Sequence, residues 1–187
     1  MTELTLTLRR ARPDDAASLR DAMRNAYATA FVGYNDEPTR RSLVAALGAP
    51  PEALLTSPRF YVVEAADRDG RARPQAIACG GWSVGPRRSD GGRTAHLRRV
   101  ACHPVFSGRG AGRAIVEACA RGAVAADCDA LACVSTLPAE GFYAGLGFEH
   151  VDFVDKTLAG RMVKAVLMRR ALRDRPLKGR GPGDGGG

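Results

Sequence analysis

His103-Pro104-Val105-Phe106-Ser107-Gly108-Arg109-Gly110-Ala111-Gly112-Arg113 is the stretch on which the reading of this chain turns. A β-rich run, Ala95 to Cys102, leads into it, and a helical pattern from about Gly112 to Ala126 follows. Glycines at 108, 110 and 112 let the backbone turn tightly and approach a ligand closely. The first N–H groups of a helix have no partner inside it, and the helix dipole there favours an anion. Arg109 and Arg113 add positive charge, so the segment reads as a phosphate cradle. A Walker A loop would need Gly-Lys-Ser/Thr, which is absent. The dinucleotide fingerprint Gly-x-Gly-x-x-Gly fails too, because its last glycine falls on Arg113 or Ile115.

Working outward, Leu4, Leu6 and Leu8 alternate as a first strand does. Pro13-Asp14-Asp15 opens a helix that runs to Ala30, and a second helix is expected from Thr39 to Leu47. Phe60 to Ala65 and Gln75 to Val84 predict a hairpin around the turn residues Asp67-Arg68-Asp69-Gly70, followed by a loop from Gly85 to Gly92. Beyond the helix after the glycines come a buried strand, Leu131 to Val134, and a short helix, Pro138 to Leu146, ended by Gly147. Phe148 to Val154 and Met162 to Met168 are the last two strands. The order is β-α-α-β-β-β-α-β-α-β-β. Three strands in succession argue against a strictly alternating wound sheet and for an α+β domain with a mixed sheet. Residues 1–172 are expected to form that single domain, with 173–187 as a Gly- and Arg-rich disordered tail.

Composition narrows the function. With 45% apolar and 26% charged residues, the 187-residue chain has the balance of a globular protein. No apolar run approaches the roughly 20 residues of a membrane span, and no secretory signal opens the chain, so a cytoplasmic protein without a membrane partner is expected. The net charge of +8 invites a polyanion, yet only three basic residues are lysines and the arginines are scattered. Aromatic residues make up 6%, too few for a base-stacking platform, so a small phosphate-bearing ligand is favoured over nucleic acid. Five cysteines form no Cys-x-x-Cys pair, and the close pair Cys128 and Cys133 has no histidine beside it. They read as reduced core thiols, with no metal site.

Three segments together resemble the GCN5-related N-acetyltransferase (GNAT) superfamily. Ser107-Gly108-Arg109-Gly110-Ala111-Gly112 resembles its pyrophosphate loop, Arg/Gln-x-x-Gly-x-Gly/Ala. His96-Leu97-Arg98-Arg99-Val100-Ala101-Cys102-His103-Pro104 resembles its central strand with the His-Pro exit. Ala139-Glu140-Gly141-Phe142-Tyr143-Ala144-Gly145-Leu146-Gly147-Phe148-Glu149 resembles its Phe-Tyr-x-x-Leu-Gly-Phe-Glu segment. The resemblance implies a mixed, mostly antiparallel sheet of about seven strands flanked by helices. It also implies acetyl-CoA as co-substrate, transfer of acetyl to an amine of a small molecule or peptide in a ternary complex, and a homodimer.

Site residues follow from the same resemblance. Ser107, Gly108, Arg109, Gly110, Ala111, Gly112 and Arg113 would hold the pyrophosphate, with Ser107 standing where the family has Arg or Gln. The strand segment Val100-Ala101-Cys102 would meet the cofactor, Val100 N–H facing the acetyl carbonyl and Val100 with Cys102 facing the pantetheine arm. Tyr143 matches the general acid; a phenol with pKa near 10 is protonated at neutral pH. His96 occupies the place of a frequent glutamate base, and imidazole suits that work, with a relayed water as the alternative and Glu64 a weaker choice. Strand alternation would place His96, Arg98, Val100 and Cys102 on one face. Phe31, Tyr34, Asp36 and Glu37 would wall the acceptor pocket, the carboxylates drawing in a cationic amine. The departures at Ser107 and His96 leave one other reading, a non-catalytic acyl-CoA-binding or sensing module.

Overall fold

The computed structural model describes residues 4–67 and 73–172; most of the expected Asp67–Gly70 turn and the whole 173–187 tail lie outside them. Seven strands form one sheet: β1 (Leu4–Arg10), β2 (Phe60–Asp67), β3 (Gln75–Arg87), β4 (Arg93–Cys102), β5 (Ala130–Thr136), β6 (Glu149–Leu158) and β7 (Arg161–Ala171). Their order across the sheet is β1-β2-β3-β4-β5-β7-β6. Every neighbouring pair is antiparallel except β4 and β5. Five α-helices accompany them: α1 (Ala16–Ala30), α2 (Glu37–Leu47), α3 (Glu52–Leu55), α4 (Ala111–Ala125) and α5 (Glu140–Ala144). The α+β expectation and the strand count hold, and α3 is the one helix added among the described residues.

Apolar spacing explains how the helices dock. Leu19 and Met23 lie one turn apart on α1 and bury against Phe60, Val62, Cys79 and Ala101 of the sheet. Ile115, Val116, Cys119 and Ala123 of α4 pack on the opposite face with Tyr143, Leu146 and Phe148. Four of the five cysteines are buried among these groups and all five are free thiols. Burial pushes the Cys79, Cys119 and Cys133 thiols up to about 12, so they stay protonated.

One irregularity shapes the centre of the sheet. Gly81 pairs with Arg98 and Cys79 with Ala101, so β4 carries one residue more than β3 between those pairs. This is a β-bulge, with Arg99 at a φ of 52°. On the other side β4 runs beside β5 only from Thr94 to His96, after which the two strands have no paired residues. The extra residue also corrects the expected alternation. Ala95 and Leu97 join the α4-side core, and beyond the bulge Val100 and Cys102 pack on that same side. His96 pairs with Ser83, and Arg98 bonds Ser83 Oγ through Nε at 2.9 Å, so these two share the opposite, α1-side face. His96 and Arg98 are therefore divided by the sheet from Val100 and Cys102.

Gly80 makes room for the bulge. A Cβ there would lie 2.6 Å from Ile115 Cγ2 and 2.9 Å from Val100 Cγ2. Gly80→Val is expected to push α4 off the bulge and to destabilise the protein by about 1–3 kcal/mol, the usual cost of overpacking. Thermal denaturation beside the parent protein measures it; an unchanged Tm would mean that the contact yields freely.

Candidate active site

The glycine segment folds as its composition requires. After the His-Pro exit, a 3-10 turn (Pro104–Phe106) is held by the His103 ring, whose Nδ1 accepts from Val105 N–H at 3.3 Å. Gly108 and Gly110 then adopt φ of 76° and 86°, left-handed values that L side chains rarely take, and Gly110 caps α4. The first helical bond runs from Ala114 N–H to Gly110 C=O. The N–H groups of Ala111, Gly112 and Arg113 therefore have no acceptor within α4. They border a cavity of about 580 Å³ whose wall also includes Val100, Cys102, Phe142 and Tyr143. A Cβ on Gly112 would come within 3.0 Å of the Phe142 ring, so glycine lets that ring lie against the helix start. Arg113 ties the two sides of the cavity by donating to Gly145 C=O at 3.3 Å.

Across the sheet lies a second cavity, about 610 Å³, between the strands β4, β5, β6 and β7 and the end of α1. His96, Arg98, Arg99, Tyr27, Phe31 and Tyr34 contribute to its lining. Between the two, where β5 departs from β4, lies a third, smaller cavity. Its volume is about 110 Å³, and it is bordered by Tyr27 and Arg99 of the second cavity and by Val100 and Tyr143 of the first. Neither Arg99 nor Val100 has a paired residue on β3 or β5, although the Arg99 C=O accepts from the Cys79 thiol of β3 at 3.5 Å.

Electrostatics set the protonation states. Tyr143 is 7% exposed, its ring edge-on to Phe142 and Phe148. Burial holds its phenol well above the ordinary value of 10, so it keeps its proton at neutral pH. His96 is shifted the other way: burial and then the positive charge of Arg98 lower it below 6.5, which keeps the ring neutral. Tyr27 is pushed up to about 12 by burial and faces the Arg99 guanidinium.

The expected site residues divide. Val100, Ala101, Cys102, Ser107, Gly108, Gly110, Ala111, Gly112, Arg113 and Tyr143 all line the first cavity, and His96, Phe31 and Tyr34 the second. Arg109 is exposed and lines neither. Ser107 ends the 3-10 turn and does not cap α4. Asp36 and Glu37 are corrections. Asp36 caps α2, accepting from Thr39 N–H at 2.8 Å, and Glu37 pairs with Arg41 one turn on at 3.2 Å; neither borders the cavity. Glu64 is held by Arg9, which also binds Asp15, and lines no cavity described here. Tyr27, Arg99, Lys156 and Met162 line the second cavity without having been singled out in the sequence. Lys156 carried one signal, the rarity of lysine in an arginine-rich chain. Among the described residues, no group of three or more His, Cys, Asp or Glu side chains could hold a metal ion, and no helix is long and apolar enough to cross a membrane.

The profile of the acetyltransferase (GNAT) family matches residues 20–148, from the first turns of α1 through the glycine loop to just past Tyr143. The chain belongs to the GNAT acetyltransferase family. GNAT proteins are acyltransferases, and solved GNAT structures share this fold. A GCN5-related N-acetyltransferase from Rhodopseudomonas palustris matches with a TM-score of 0.71 at 18% identity, over 91% of this chain and 98% of that one. The PaiA N-acetyltransferase of Thermoplasma acidophilum, solved with coenzyme A, gives 0.66 at 13%, over 89% and 99%. YncA of Salmonella typhimurium, a putative acetyltransferase solved with acetyl-CoA, gives 0.57 at 16%, over 91% and 96%. Among curated proteins the sequence has no match. In this GNAT protein the small cavity at the parting of β4 and β5 shares lining residues with both larger cavities.

Proposed function

We propose that this GNAT protein is an N-acetyltransferase that moves acetyl from acetyl-CoA to an amine of a small molecule or peptide, by direct attack while both are bound. The observation that carries the reading is the small cavity at the parting of β4 and β5, bordered by Tyr143 and Val100 of the α4-side cavity and by Tyr27 and Arg99 of the cavity that His96 lines. The α4-side cavity suits coenzyme A: unpaired N–H groups at a glycine-capped helix start, open space around Gly108 and Gly110, and a volume within the usual 300–1,000 Å³ of small-molecule sites. Coenzyme A in the PaiA structure and acetyl-CoA in the YncA structure support the same ligand class.

The co-substrate supplies an activated thioester; the chain supplies placement and proton traffic. The N–H groups of Ala111, Gly112 and Arg113 bind the pyrophosphate, and Val100 and Cys102 align the pantetheine arm along β4. Val100 N–H faces the carbonyl oxygen as it gains negative charge, a contact that strengthens in the transition state. His96, neutral and on the acceptor side, takes the proton that the attacking amine sheds. Tyr143 returns a proton to sulfur as the C–S bond breaks. Holding both reactants at one place contributes the rest, by turning a two-body encounter into a positioned one.

Thiol release from acetyl-CoA across a broad amine panel tests the reading. Steady release with at least one amine is the expected result. Tight coenzyme A binding without turnover, unaffected by Tyr143→Phe, would make the protein a binding module instead. The loop has its own test. Gly110→Val puts a β-branched residue at a φ of 86° and distorts the helix start, a strain of about 1–3 kcal/mol. Calorimetric titration should show coenzyme A binding about tenfold weaker; unchanged affinity would remove the helix start from the site.

A further inference from the structure

The second cavity has a chemical bias of its own. Arg98, Arg99 and Lys156 line it, and no Asp or Glu does. All three side chains belong to the α1 side. Arg98 shares its face with His96 and Ser83. Arg99 reaches α1 and α2, facing the Tyr27 phenol and donating to Leu47 C=O at 3.5 Å. Lys156 pairs across the strands with Val163, which is buried against Phe31 and Leu43. Lys164 also borders the cavity, but its ammonium lies 4.0 Å from Asp155. The carboxylates expected to attract a cationic acceptor, Asp36 and Glu37, are engaged at the start of α2. A polyamine would meet like charge here and no counter-charge.

Arg98 is placed to do more than set the sign of the potential. Its Nε donates to Ser83 Oγ at 2.9 Å, which fixes one edge of the guanidinium. The two terminal nitrogens have no carboxylate partner among the described residues, and together they offer the fork that grips a carboxylate with two parallel bonds. His96 is two residues back on the same face, about 6.7 Å away along the strand. A small molecule with an amine and a carboxylate a few bonds apart can reach both. The aromatic and aliphatic wall of Tyr27, Phe31, Tyr34, Leu158 and Met162 would take up an apolar remainder.

We propose that the acceptor is an amino carboxylate, an amino acid or close analogue, whose carboxylate is held by Arg98 while its amine faces His96. This deepens the acetyl transfer proposed above and rests on it. The test compares thiol release from acetyl-CoA with the twenty L-amino acids, their carboxamides and spermidine as acceptors. Amidation keeps the amine and removes the negative charge. The expected result is release with one or more free amino acids, and kcat/KM at least tenfold lower for the matching carboxamide. In Arg98→Gln, acid and amide should come within about twofold of each other, while Arg98→Lys should restore part of the preference. Arg98 is exposed, so these variants should fold as the parent does. Release that is equal for acids and amides, or that favours spermidine, overturns the amino carboxylate while leaving acetyl transfer in place. Release with none of these acceptors overturns the amino carboxylate, and release with no amine of any class takes the acetyl-transfer reading with it.

Discussion

Tyr143→Phe is expected to lower kcat by about a hundredfold while leaving the KM for acetyl-CoA within about twofold. The size follows from the usual worth of a positioned acid, on the order of 10²–10⁴-fold. The split follows from the structure. The ring packs edge-on against Phe142 and Phe148 at 5.0 and 5.4 Å, and phenylalanine keeps those contacts. Only the hydroxyl is lost, and in the proposed reaction its proton is needed when sulfur departs, not when the nucleotide binds at the helix start. Because burial raises the phenol above 10, the parent enzyme should show no loss of acid function up to about pH 9. Steady-state kinetics with the favoured amine decide the matter; a kcat near that of the parent would reduce Tyr143 to a packing residue.

His96→Gln is expected to give the second large loss, about a hundredfold in kcat/KM for the amine at pH 7. The pH profile is more telling than the rate. Burial and the neighbouring Arg98 both disfavour the imidazolium, so the ring stays neutral to lower pH than a free histidine. A base works in its unprotonated form. Activity should therefore be retained near neutrality and fall as pH drops through a midpoint below 6.5, and this acid limb should vanish in His96→Gln. An acid limb that survives the substitution would give the proton to a relayed water. Removing the charge of Arg98 should move the limb upward, toward the ordinary histidine value.

Much of this site is legible in the sequence, for local reasons. Glycines 108 and 110 are required by left-handed backbone at a helix start, a demand that spacing displays directly. Tyr143 sits in a short helix bounded by glycine, and its neighbours Phe142 and Phe148 announce a packed ring. The acceptor side was harder to read. One inserted residue in β4, marked only by the backbone of Arg99, reverses which side chains share a face, and residue types do not reveal such an insertion. Asp36 and Glu37 look like a recruiting pair in sequence, but helix capping and an i,i+4 ion pair use the same residues at the same spacing. Lys156 and Met162 reach the cavity through the β6–β7 pairing, a long-range contact that no local pattern encodes.

The small cavity between β4 and β5 has a consequence for the donor as well. At about 110 Å³ it is smaller than either cavity beside it. In the proposed reaction a longer acyl group would share this space with the amine, so replacing Val100 or Leu97, which border it, by smaller residues is the change expected to let the same scaffold carry larger acyl groups.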